Sequence, residues 1–133
     1  MAFEFNRSQQ DYNYTSTVAI AQAGANTASF DLEQAVGGDI QRVVFELVAP
    51  TAAGISDTKV VTYALQDSAD GSSWAAVDPA ISTTQTGAGG AGITTKTIRF
   101  RVPANTRRYV RIAQTMTATA GTVTGSMVAK LLF

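Results

Sequence analysis

Hydrophobic residues recur along this chain at every second position, and no stretch shows the three-to-four spacing of an amphipathic helix. The clearest case is Ile98, Phe100 and Val102 alternating with Arg99 and Arg101, which predicts a strand with an apolar inner face and guanidinium groups outside. Val61, Tyr63 and Leu65 share one face of a second predicted strand, and Val110 and Ile112 one face of a third, with Tyr109 and Arg111 turned outward. In residues 40–48, Val43, Phe45 and Leu47 point one way while Arg42, Val44, Glu46 and Val48 point the other. Further strands are predicted at 17–22, 27–32, 74–77 and 121–133, in a residue palette rich in Thr, Val, Ile and Tyr.

Turn residues punctuate these runs. Ala23-Gly24-Ala25-Asn26 joins the first two predicted strands as a hairpin, Gly37-Gly38-Asp39 precedes the third, and Pro50 and Pro79 close others. The Asp70-Gly71 step within residues 67–73 is a tight-turn signal, and Pro103-Ala104-Asn105-Thr106 turns the chain again. Residues 82–97, dominated by Thr, Ser and Gly, read as a mobile loop. About seven to eight short strands with Gly and Pro turns predict an all-β fold, an antiparallel β-sandwich or jelly roll. The expected organisation is an N-terminal arm, residues 1–14, and a single β-sandwich domain, residues 15–133. The ending Leu131-Leu132-Phe133 is expected to be packed.

At 133 residues, 45% of them hydrophobic and 15% charged, the chain is long and apolar enough for one folded core. A domain of this size buries roughly 65–70% of the surface of its unfolded chain. No apolar run is long enough to cross a bilayer, and the first residues lack the basic and apolar regions of an export signal, so no membrane partner is expected and synthesis in a cytoplasm is. Without an export signal, Asn6-Arg7-Ser8 and Asn13-Tyr14-Thr15 read as chance glycosylation sequons. The absence of cysteine and histidine removes disulfides, thiolate chemistry, the commonest metal ligand and the commonest general base. No enzyme activity, metal or cofactor is expected.

Charge is segregated although the net charge is zero. Residues 1–78 carry three basic and ten acidic groups, a balance of −7, and residues 79–133 carry the compensating +7. Halves that interleave in one fold would set opposite charges against each other across strands, and head-to-tail contacts between copies would do the same. A nucleic-acid partner would favour a net basic domain and is not expected.

Gly87, Gly89 and Gly92 match G-x-G-x-x-G, but a dinucleotide site needs a helix to follow, and Ile93-Thr94-Thr95 favours strand, so a hairpin loop is expected. Asp67, Asp70 and Asp78 form the best carboxylate cluster; Asp67 and Asp70 meeting to hold a cation is the sharper reading and an Asx-type turn the favoured one. Arg99, Arg101, Arg107, Arg108 and Arg111 come from two successive predicted strands, whose outward members would form one basic patch if those strands paired. That patch is either a solvated face whose arginines pair with acidic residues of the N-terminal half, or a protein interface. Phe3, Phe5, Tyr12 and Tyr14, with Arg7 among them, give the arm four of the eleven aromatics; it is either an edge strand on its own sandwich or a segment that grips a neighbour. Trp74 beside a turn is a core residue or a carbohydrate platform.

The order Val60-Val61-Thr62-Tyr63-Ala64-Leu65-Gln66-Asp67-Ser68-Ala69-Asp70-Gly71-Ser72-Ser73-Trp74, a Gly-rich loop, Ile98-Arg99-Phe100-Arg101-Val102-Pro103, Arg108-Tyr109-Val110-Arg111-Ile112 and a terminal strand resembles the capsid decoration, or cement, proteins of tailed bacteriophages, including those like the Bordetella phage cement protein. The resemblance covers about residues 40–133. It implies a structural virion protein on the outer capsid surface that binds the major capsid protein and itself, as a homotrimer or a dimer, and stabilises the shell by bridging its subunits. No catalytic residues come with it. The alternative is a phage tail or host-recognition β-domain that binds carbohydrate.

Overall fold

The computed structural model describes residues 10–32, 44–117 and 122–132. Ten strands lie there: β1 (Gln10–Ala19), β2 (Ala25–Asn26), β3 (Phe30–Asp31), β4 (Val44–Ala49), β5 (Val60–Ser68), β6 (Ala75–Ala76), β7 (Ser82–Thr86), β8 (Lys96–Arg101), β9 (Tyr109–Met116) and β10 (Ser126–Leu132). All pairings are antiparallel. The first sheet runs β1-β10-β4-β8; in the second, β9 and β5 are central, flanked by β2 and β3 on one side and by β6 and β7 on the other. The two sheets close on one core, so the chain is an antiparallel β-sandwich.

Alternation decides what enters that core. Phe45, Leu47 and Ala49 of β4, Met127, Ala129 and Leu131 of β10, Val61, Tyr63 and Leu65 of β5, and Val110 and Ile112 of β9 are buried. Each fully buried aliphatic side chain stabilises the fold by about 1.5–3 kcal/mol. Phe45 stacks on its cross-strand partner Phe100 at 5.3 Å and meets Phe30 of the opposite sheet edge-on at 5.6 Å, so one ring ties both layers together.

Buried amides pin the places where the chain changes sheets. The Gln114 side chain accepts from the Ala21 N–H at 3.0 Å and donates to the Ala21 carbonyl at 3.1 Å, satisfying the backbone between β1 and β2. Gln85 accepts from the Tyr63 hydroxyl at 2.7 Å and donates to the carbonyls of Pro50 and Thr94 at 2.9 and 2.7 Å. Burial pushes the Tyr63 hydroxyl well above the ordinary phenol range, which keeps it a donor to Gln85 at neutral pH.

Two expectations are corrected. The segments at 17–22 and 27–32 do not form a hairpin: β1 pairs with β10 in one sheet, whereas β2 and β3 pair with β9 in the other. Residues 82–97 are not a loop throughout, because β7 pairs along β5 from Val60↔Thr86 to Ala64↔Ser82 and Ile93 is buried in a bridge with Ala52. Low hydrophobicity there reflects an edge strand whose Thr and Ser side chains face solvent. The first strand, β1, starts at Gln10, opposite Leu132. The Gly37-Gly38-Asp39 turn and Phe133 lie outside the described residues.

Candidate functional site

The five arginines do not form one patch. β8, with Arg99 and Arg101, belongs to the first sheet, and β9, with Arg111, to the second, because the turn at 103–106 crosses between layers and does not close a hairpin. Three of the five meet carboxylates of the N-terminal half: Arg99 Nε lies 2.6 Å from Glu46, Arg107 Nη2 2.7 Å from Asp67, and Arg108 Nε 2.8 Å from Asp31. Lys130 reaches the other oxygen of Glu46 at 3.7 Å. Interleaved strands thus account for the segregation of charge along the chain.

Asp67 has no room for a cation. Its carboxylate accepts from the Arg107 backbone N–H and from Nε and Nη2 of the same residue, and these bonds raise the Arg107 pKa further above its ordinary value. Asp70 Oδ1 instead accepts from the backbone N–H groups of Ser73 and Ser72 and from the Ser68 hydroxyl, which pulls its carboxyl down to about 2 and makes it the organiser of an Asx-type turn. Among the described residues no group of three or more acidic side chains is placed to hold a metal.

The glycine motif is architectural. Gly92 sits at φ +77, and a Cβ on it would run into the Ala52 carbonyl; one on Gly87 would strike the Ser56 carbonyl. Gly87 bonds through its backbone to Lys59 and Thr58, so these glycines let the turn lie against residues 52–59. No helix follows them: β8 does.

Phe3, Phe5 and Arg7 lie outside the described residues, as does the side chain of Tyr12. Tyr14 packs against the chain's own core.

Three surfaces remain. The first is the outer face of the β1-β10-β4-β8 sheet. Val44 opposes Leu132 and Val48 opposes Val128, and between these two apolar pairs runs the row Lys130, Glu46, Arg99. Leu132 is buried yet belongs to the far side of the sheet from the core. The sequence carried a signal of this face: β4 is apolar on both sides, a pattern unusual for a half-solvated antiparallel strand.

The second is an open groove of about 590 Å³ lined by Asp78, Pro79, Ile81, Arg101, Pro103, Ala104 and Asn105. Arg101 is exposed there, and among the described residues it has no carboxylate partner.

The third lies on the outer face of the other sheet. The Arg111 guanidinium stacks on the Trp74 ring at 4.4 Å and Nε donates to Gln66 Oε1 at 2.9 Å, with Gln66 directly across the ladder. Burial lowers the Arg111 pKa, and no carboxylate offsets that among the described residues. Tyr109 follows on the same face, with Arg108 over its ring at 5.2 Å. The sequence pointed to Trp74 and Arg111 separately, while Gln66 gave no signal because its role depends on cross-strand register.

No family model and no curated protein matches the chain. Among solved structures it is similar to a carbohydrate-binding module from a family 9 glycoside hydrolase, Cel9A, of Ruminococcus flavefaciens FD-1, at 12% identity and a TM-score of 0.40, over 90% of this chain and 98% of that one.

Proposed function

We propose that the protein is a non-catalytic structural virion subunit that binds the outside of a tailed-phage capsid and stabilises the shell by bridging its subunits. The observation that carries this reading is the outer face of the β1-β10-β4-β8 sheet, where the half-buried Val44 and the half-buried cross-strand pair Val48–Val128 flank the Lys130–Glu46–Arg99 row. Apolar side chains on either side of a row of charges of both signs suit a protein partner: burial supplies affinity and the charges set register. The resemblance of residues 40–133 to decoration proteins supports the major capsid protein as that partner, with self-association into a trimer or dimer beside it. Each copy contributes a modest contact, and many copies on a closed shell multiply it. The exposed Arg101 groove stands at the rim of the same sheet and offers a guanidinium to a shell carboxylate.

The test is saturable binding to expanded, undecorated capsid shells by the full chain, by a chain lacking residues 1–9, which keeps β1 whole, and by the double variant Val48→Asp, Val128→Asp. Binding by the full chain that the double variant loses, with its melting transition intact, is the expected result. Full-chain binding lost only with residues 1–9 moves the contact off the sheet face. An absence of saturable binding by the full chain overturns the reading.

A further inference from the structure

The Trp74 side chain folds back from the β5–β6 turn onto the outer face of the second sheet, and three groups there keep capacity that holding the fold does not use. Arg111 is half-buried with its Nε engaged by Gln66, but its remaining N–H donors face no carboxylate among the described residues. Gln66 spends its oxygen on Arg111, which leaves its amide N–H donors without an acceptor among the described residues. Trp74 keeps part of its ring exposed although one face rests on the guanidinium. Latching the turn requires only the stack; it does not require a row of spare donors beside it.

From this geometry we infer that Trp74, Arg111 and Gln66 form a binding site for an acidic glycan, with a pyranose ring lying on the indole and its carboxylate taken by Arg111 and Gln66. An indole presents a flat apolar surface suited to the C–H face of a sugar. The spare groups are all donors, and a carboxylate, which only accepts, matches them better than a hydroxyl. A carboxylate would also compensate Arg111, a half-buried cation with no counter-ion among the described residues, since Arg107 and Arg108 are already neutralised by Asp67 and Asp31. Asp70, the remaining anion nearby, is bound into its own turn by Ser68, Ser72 and Ser73.

Tyr109 extends the site. It lies two residues from Arg111 on the same face, a step of about 7 Å along a strand, and the turn approaches it so closely at Gly71 that an added Cβ would touch the ring at 3.8 Å. A second sugar unit reaches Tyr109 while the first sits on Trp74. The site occupies the sheet opposite the proposed shell contact, so it is independent of that contact and remains outward when the other face is covered.

Trp74 is the only tryptophan, so its fluorescence reports binding directly. The full chain is titrated with oligogalacturonate and sialyllactose as acidic probes, with maltohexaose as the neutral one and with single-stranded oligo(dT). A saturable change with an acidic probe and none with maltohexaose is expected. Arg111→Gln should weaken that binding about tenfold, the loss of one charge-assisted contact. Gln66→Ala, which leaves the stack in place, should weaken it severalfold and serves if Arg111→Gln melts early. No saturable response to either acidic probe, an equal response to maltohexaose, unchanged affinity in both variants, or tighter binding of oligo(dT), which would set a base on the indole and a phosphate on the guanidinium, each overturns the proposal. Shell binding by the same variants is expected to be unchanged.

Discussion

Asp67 and Arg107 hold the end of β5 to the crossover between the sheets: the carboxylate receives the Arg107 backbone N–H at 2.9 Å, Nε at 3.1 Å and Nη2 at 2.7 Å, and Nη2 also reaches the Asp67 carbonyl at 3.0 Å. The acidic partner is buried while the Arg107 side chain is 36% exposed, so removing the carboxylate costs the backbone N–H of Arg107 its acceptor and leaves a guanidinium that water still reaches. Asp67→Ala is expected to lower the unfolding free energy by about 1–2 kcal/mol, the loss of an acceptor for one backbone N–H and of a solvent-screened ion pair. Urea denaturation checks this through a fall in the midpoint at unchanged slope.

Gln85 bridges three groups at once, and a hydrophobic replacement leaves the Tyr63 hydroxyl and the Pro50 and Thr94 carbonyls with no partner. Gln85→Leu should therefore cost about 3 kcal/mol, more than its gain in apolar volume returns. A melting temperature equal to that of the parent would show that water replaces the amide.

Thr106 is the reverse case, because its hydroxyl is buried with no hydrogen-bond partner among the described residues. Thr106→Val removes that unpaired group at nearly constant shape and is expected to be neutral or to stabilise by up to about 1 kcal/mol. Calorimetry on the variant decides the sign.

The glycine-rich turn separates conformation from contact. Gly89 has φ +63 and open space where a Cβ would stand, so Gly89→Ala carries only the left-handed penalty of about 1 kcal/mol. Gly92 has φ +77 and the Ala52 carbonyl in that space, so Gly92→Ala must also displace backbone and should be clearly the more damaging of the two. Equal melting temperatures would mean that the turn moves away without cost.

Asp70 makes stability pH-dependent in a defined direction. Its folded-state pKa of about 2 lies below the ordinary carboxyl value of about 3.9, so its contribution is complete above that ordinary value. That contribution is lost as pH falls through about 2. Asp70→Asn should flatten the acid limb of the stability profile between about pH 4 and 2, and a carboxyl titration followed by NMR should place the Asp70 midpoint near 2.

The sequence by itself determined the fold class, most strand positions and which residues of each strand enter the core. Period-two alternation is a property of the strand alone, and it sent Phe45, Leu47, Val61, Tyr63, Leu65, Val110 and Ile112 inward. The Asp70 turn was equally legible, since its hydrogen bonds close within residues 68–73. Tertiary structure alone decided which strand lies beside which. Alternation fixes the face a residue presents and carries nothing about neighbours, so β8 and β9, adjacent in sequence and alike in pattern, could be placed in different sheets only by the packed core. That choice divided the arginines, gave Glu46, Asp67 and Asp31 to three of them, and set Gln66 opposite Arg111 beneath Trp74. It also placed Val48 against Val128, eighty residues apart, because such contacts depend on long-range register that no local window contains.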